Sequence, residues 1–267
     1  MQAFTNKWGI LAKAAAVAVP LLGVKALVNY FDLNIITVGP VITALIAGVF
    51  FVLAIILAGV LGDFKESEKI PGEMALALKT IRGDSRLLGT EWHTSGLDLH
   101  LKELLRVLNA NFRNQTRWHL KEVNAAIQDI NRDIFQLEGK KAPLQLLLRF
   151  RAELTNIERL SNRVDSILET SFIPGAYAIA QLAVTGALFV LMVADIQPPY
   201  EGLLLFGVIS LILIAIILLI WDMDNPFEGY ARVDVSILQK LEKSWSGQDI
   251  PSLVPENKTE RSLQPDS

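Results

Sequence analysis

Residues 35–62 read IITVGPVITALIAGVFFVLAIILAGVLG, without a single charged side chain. At a helical rise of about 1.5 Å per residue, such a run is longer than a hydrocarbon core of roughly 30 Å requires. A core helix of a water-soluble domain has no need of it, so the stretch predicts a membrane-spanning helix. Directly behind it the chain turns to charge, with Asp63, Lys65, Glu66, Glu68 and Lys69. That switch places the exit from the bilayer at Gly62 or Asp63 and orders the rest of the chain around it.

Residues 203–221 (LLLFGVISLILIAIILLIW) are equally free of charge and end on Trp221, which predicts another span. Residues 173–194 form a third apolar run. Residues 8–31 are less apolar, with Lys13 and Lys25 flanking their most apolar part. Lysines near helix ends extend toward lipid headgroups, and Trp8, Tyr30 and Phe31 suit the two interfaces. This segment reads as a first span in preference to a leader peptide or an interfacial helix. The links at 32–34 and 195–202 are short, so the spans pair as hairpins. The expected fold is an all-α integral membrane protein. Four transmembrane helices form two hairpins, with a cytosolic, coiled-coil-like helical hairpin between them. The expected segments are a first membrane hairpin (1–62), the cytosolic section (63–172), a second membrane hairpin (173–221), a post-membrane segment (222–246) and a disordered tail (247–267).

Within the middle section, Leu101, Leu105, Leu108 and Phe112 recur at helical spacing. Leu120, Val123, Ile127, Ile130, Ile134 and Leu137 continue the stripe at alternating steps of three and four. A turn signal at 138–143 separates it from Phe150, Leu154, Ile157, Val164 and Leu168, where polar Ser161 occupies an apolar place of the repeat. Two long amphipathic helices in an antiparallel hairpin follow, preceded by a shorter helix over 71–88 with Pro71 near its start. Strand-like alternation is absent.

Hydrophobic residues make up 51% of the chain and the net charge is −3, which excludes a disordered protein and gives no basic field for nucleic acid. The expected partners are the lipid bilayer, small inorganic ions and further copies of the chain. No phosphate loop, zinc-protease motif or nucleophile elbow occurs, and there is no cysteine, so no enzyme, cofactor or metal site is expected. His93 and His100, two helical turns apart beside Glu91 and Asp98, permit a metal site but suit an ordinary helix surface better; His119 beside Trp118 suits packing. Both hairpin links lack Lys and Arg, whereas Lys7, Lys13, Lys65 and Lys69 crowd the other side. The positive-inside rule then puts both termini and the middle section in the cytosol, in a cell (inner) membrane.

The spans hold few polar residues: Thr43, Tyr177, Gln181, Thr185 and Ser210, with no carboxylate at mid-membrane. Proton-coupled carriers place ionisable groups there, so the inventory fits a passive pore gated by apolar side chains. On the second helix, Ile42, Ile46, Val49, Phe50 and Leu53 share one side and are the candidate pore lining; packing against neighbouring helices explains the same stripe. Gly39, Thr43, Ala47 and Ala54 offer a partial small or polar face. After the fourth helix, Asp222, Asp224 and Glu228 form an acidic patch able to bind calcium. Charged anchoring with a turn at Asn225-Pro226 is the plainer account.

GDFKESEKIPGE after the second helix, and DMDNPFEG followed by VDVSILQKLEK after the fourth, resemble the bestrophin-like membrane proteins. The motif residues are Asn225, Pro226, Phe227 and Gly229. The resemblance implies a homo-oligomeric, pentameric ion channel with the second helix lining the pore, most readily for small anions such as chloride. Bestrophins carry an acidic run behind Asn-Pro-Phe that clasps calcium. Here only Glu228 follows at once, before Gly229-Tyr230-Ala231-Arg232, which puts calcium activation in doubt. Phe50 and Phe51 are the nearest counterparts of the family's pore aromatics. The rival class is a non-conducting scaffold whose cytosolic hairpin recruits a protein partner. A motor-stator layout asks for an ionisable cluster that Thr43 and Thr185 do not supply.

Overall fold

The structure is a computed structural model that describes residues 2–88, 92, 94–114, 118–169, 174–227 and 232–247. Almost all of these residues are helical, and four helices are long and apolar enough to cross a membrane.

The first helix, α1 (Gln2–Tyr30), passes through Pro20 and packs on α7 (Pro199–Asp224), itself started by Pro199 in its first turn. Small residues make that contact close. Ala14 and Ala18 are buried against Ile214, and a Cβ on Gly207 would lie 3.5 Å from Leu22. Helix α6 (Pro174–Met192) packs against α7 and against α2 (Pro40–Leu87). In this bundle α1 lies on α7, so α2 keeps one side uncovered.

Helix α2 does not stop where its apolar run does. It runs for 48 residues in all, on through the charged stretch and through Pro71. The expected separate helix over 71–88 is therefore the second half of α2. The reason is visible in burial: Val49, Leu53, Ile56, Val60, Ser67, Ile70, Met74, Leu78, Ile81 and Ser85 keep one helical phase across residues 63–69. Pro71 removes one N–H, costing the bond to the Ser67 carbonyl. The face it sits on is held by packing on both sides of it. Ser67 hydrogen-bonds back to the Asp63 carbonyl at 2.8 Å.

Beyond the membrane run, α2 enters a second core formed with α3 (Ser95–Arg113), α4 (Leu120–Gly139), α5 (Leu144–Glu169) and α8 (Ser236–Gly247). The first expected long helix is thus two, α3 and α4, folded back on each other. Both stripes named above are buried there, with Leu120 and Leu168 half-buried at their ends. Ser161 is buried too, and Trp118 donates its indole N–H to it at 3.0 Å, so this polar residue is a specific partner for a buried ring.

The chain between α1 and α2 and that between α6 and α7 pair as two-residue parallel strands, β1 (Ile36–Thr37) with β2 (Ala194–Asp195), so the helical part of the 35–62 run begins only at Pro40. Sequence reading missed this bridge because two residues carry no alternation.

Candidate functional site

Lys25 lies on α1 but does not extend toward headgroups. It is 1% exposed and donates to Asn34 Oδ1 at 3.0 Å and to the carbonyls of Met192 at 3.1 Å and Ala194 at 2.6 Å. An ammonium has three donors, and all three are used. It ties the end of α1 to the open carbonyl end of α6 and, through the β1–β2 bridge, closes one end of the membrane bundle.

The stripe expected to line a pore is the packed face of α2. Ile42, Val49 and Leu53 are buried, and Ile46 and Phe50 are half-buried. Val49 and Leu53, with Ile56 and Val60, pack on Ala180, Val184 and Ala187 of α6 and on Leu213, Ile217 and Ile220 of α7. Phe50 packs onto the same cluster. The opposite side of α2 is bare: Ala44, Ala47, Phe51, Ala54, Ile55, Ala58 and Gly62 are exposed, Phe51 at 68% and Ile55 at 58%. One aromatic ring, with Ile55 one turn on, thus stands among small residues. Thr43 also faces out and, among the described residues, its hydroxyl bonds only back to the Gly39 carbonyl at 3.4 Å. On α6, Gln181 and Thr185 are likewise exposed. Polar groups facing hydrocarbon cost free energy unless water or another chain meets them.

Where α7 leaves the membrane run, Asp222, Asp224 and Asn225 are half-buried, while Pro226 and Phe227 are buried. Tyr177 at the start of α6 reaches Asp224. Phe227 lies 5.6 Å from the Phe112 ring, which meets Trp118 edge-on at 4.9 Å. The Pro226 carbonyl accepts from the Val233 N–H at 2.8 Å. The Asn-Pro-Phe motif thereby locks the membrane bundle to the second core. Glu228 and Gly229 lie outside the described residues, as do Glu91 and His93. Among the described residues no three metal-ligating side chains come together. His100 instead pairs with Asp133 at 2.6 Å, and the His119 backbone N–H donates to Asn111 at 2.6 Å.

Outside the membrane run, Arg82 is buried between two partners. It bonds Asp98 at 2.5 and 3.2 Å and stacks 4.3 Å over the Trp245 ring of α8. Asp98 also meets Lys102 at 3.2 Å. Partial burial works against its ionisation, but Arg82 and Lys102 together hold the carboxyl below the usual range. Asn109 completes the seat of α8, donating to the Leu238 carbonyl at 3.2 Å and to Glu242 at 2.9 Å.

No protein-family model matches this sequence, and no curated protein does either. Solved structures match closely in shape. One is a crystal structure described as a membrane protein, with a TM-score of 0.77, 14% identity, and coverage of 92% of this chain and 99% of that one. Two others are of a bacterial bestrophin homologue from Klebsiella pneumoniae. One, a point variant, has a TM-score of 0.73, 13% identity and 89% and 98% coverage. The other has 0.71, 14%, 89% and 96%. The fold is bestrophin-like.

Proposed function

We propose that a chain with this bestrophin-like fold assembles into an oligomeric channel for small ions, most readily anions such as chloride, with α2 lining the pore. The observation that carries the reading is the bare face of α2, where Phe51 stands among Ala47, Ala54 and Ala58. Small residues leave room for a water-filled path when several copies meet around one axis. A lone aromatic ring narrows that path to an apolar constriction, which gates by dewetting. The wall is then the bare face; Ile42, Ile46, Val49, Phe50 and Leu53 brace it from behind. The exposed Gln181 and Thr185 of α6 support assembly, because a neighbouring copy satisfies them where lipid does not.

In this reading the four apolar helices span an inner cell membrane as two hairpins, with both termini and the second core in the cytosol. The copy number is five, by likeness to bestrophins. Asp222, Asp224 and Glu228 act as anchoring charge and helix end rather than as a calcium clasp. A non-conducting scaffold is favoured by one observation, the exposed Phe135, Leu144 and Leu148 on α4 and α5.

The two adjacent phenylalanines separate the possible walls. Phe51→Ala raises single-channel conductance in planar bilayers, whereas Phe50→Ala leaves conductance nearly unchanged and lowers thermal stability instead. The opposite assignment would return the pore to the packed face.

A further inference from the structure

The bare face of α2 does not end with the membrane run. Because the helix is continuous, Ala47, Phe51, Ala54 and Ala58 lead, at the same three-and-four spacing, to Gly62, Lys65, Lys69, Gly72, Leu76, Lys79, Gly83 and Leu87. All of these are exposed except half-exposed Gly72. We infer that Lys69 and Lys79, on the extension of this face beyond the membrane, set the sign of the ion that passes. The inference rests on α2 lining a pore.

Three observations support it. The first is the character of the face. Leu76 is 65% exposed and Leu87 79%, and nothing lies within 4 Å of a Cβ placed on Gly72 or Gly83. Apolar and small residues in one line, on the water side of a membrane helix, suit a shared central space better than an outer surface. The second is how the charges pair. The acidic residues of this part of α2 lie off the line or are already engaged. Glu66 pairs with Arg163 at 3.1 Å, Glu73 with Arg159 at 3.9 Å and Glu68 with Lys65 at 2.7 Å. The arginines on α5 draw two of these carboxylates sideways. Neither Lys69 nor Lys79 forms an ion pair with a described residue, so the charge left facing outward along the line is positive. The third is position. Lys69 lies about 27 Å along the helix from Phe51, and Lys79 about 15 Å further. Around a symmetry axis each lysine becomes a ring of like charge, both on the path beyond the membrane run that ions take to or from the constriction. Rings of one sign in a confined space concentrate counter-ions, here anions.

The chain contains no cysteine, so a single introduced thiol can be given either charge without disturbing another site. Purified full-length Lys69→Cys protein is placed in planar bilayers, and the chloride-to-potassium permeability ratio is read before and after modification of the same channels. The ratio falls on loss of the lysine and recovers when an aminoethyl thiosulfonate reagent restores the positive charge. It drops about tenfold below wild type when a sulfonatoethyl reagent makes the site negative. Lys79→Cys follows the same order. Lys140→Cys, in the turn after α4, leaves the ratio unchanged. A ratio that ignores all three charge states while current persists overturns the inference and leaves the pore reading intact. Absence of current in the wild-type protein removes both.

Discussion

Lys25 brings a positive charge into the interior at the end of α1, and its three carbonyl and amide acceptors make it a structural tie. Lys25→Met keeps the volume and removes the donors, leaving the Met192 and Ala194 carbonyls without this partner. The variant loses about 3 kcal/mol, read as earlier unfolding in detergent. Wild-type stability in Lys25→Met would contradict the hydrogen bonding described above. The sequence misdirects here, because a lysine near a helix end is ordinarily a headgroup anchor, and two of its three acceptors, Met192 and Ala194, lie 167 and 169 residues away in the chain. Ser161 was legible as a polar break in an apolar repeat, but not as the acceptor for Trp118, since the ring arrives from just before α4, 43 residues away. Phe50 and Phe51 illustrate the limit most sharply. Both are aromatic and adjacent, and only the placement of α6 and α7 decides which of them is packed.

At the scale of elements, the apolar runs, the two amphipathic stripes and the turn at 138–143 were readable because their periodicity is strong. The continuity of α2 was obscured by three ordinary signals: a charge run, a proline and a glycine. Burial phase overrode them, and the phase can be followed through Val60, Ser67, Ile70 and Met74. The seat of α8 was not readable at all, because it depends on Arg82 meeting both Asp98 and Trp245. It has a pH signature. The folded state holds the Asp98 carboxyl below its ordinary value, so this contact stabilises above about pH 4 and is lost as pH falls through the depressed value. The protection of the α8 amides, with their exchange rates corrected for the intrinsic pH dependence of amide exchange, therefore falls as the protein is taken from pH 6 to about pH 3. Asp98→Asn, which strands the Arg82 charge, lowers it already at pH 6 and costs about 2 kcal/mol. Equal exchange in wild type and Asp98→Asn across that range would remove Asp98 from the account.

At the scale of the whole molecule, the two short motifs pointed to a bestrophin-like fold that the shape then supplied at 14% identity to a solved structure. So low an identity is enough because the architecture is set by where apolar runs lie and how they pair. The wall of the proposed pore is not so legible. It rests on which side of α2 the other helices leave uncovered, and that side is known only once α6 and α7 are in place. Helices α2 and α6 each leave in-membrane residues facing outward, and in the proposed channel the pore forms where copies meet along the bare α2 face. Ion flux from liposomes carrying the purified full-length protein, under a chloride and then a potassium gradient, tests this most directly. The account predicts chloride release above empty liposomes, increased by Phe51→Ala and faster than potassium release. Correctly inserted protein that releases neither ion, with Phe51→Ala equally silent, would contradict it.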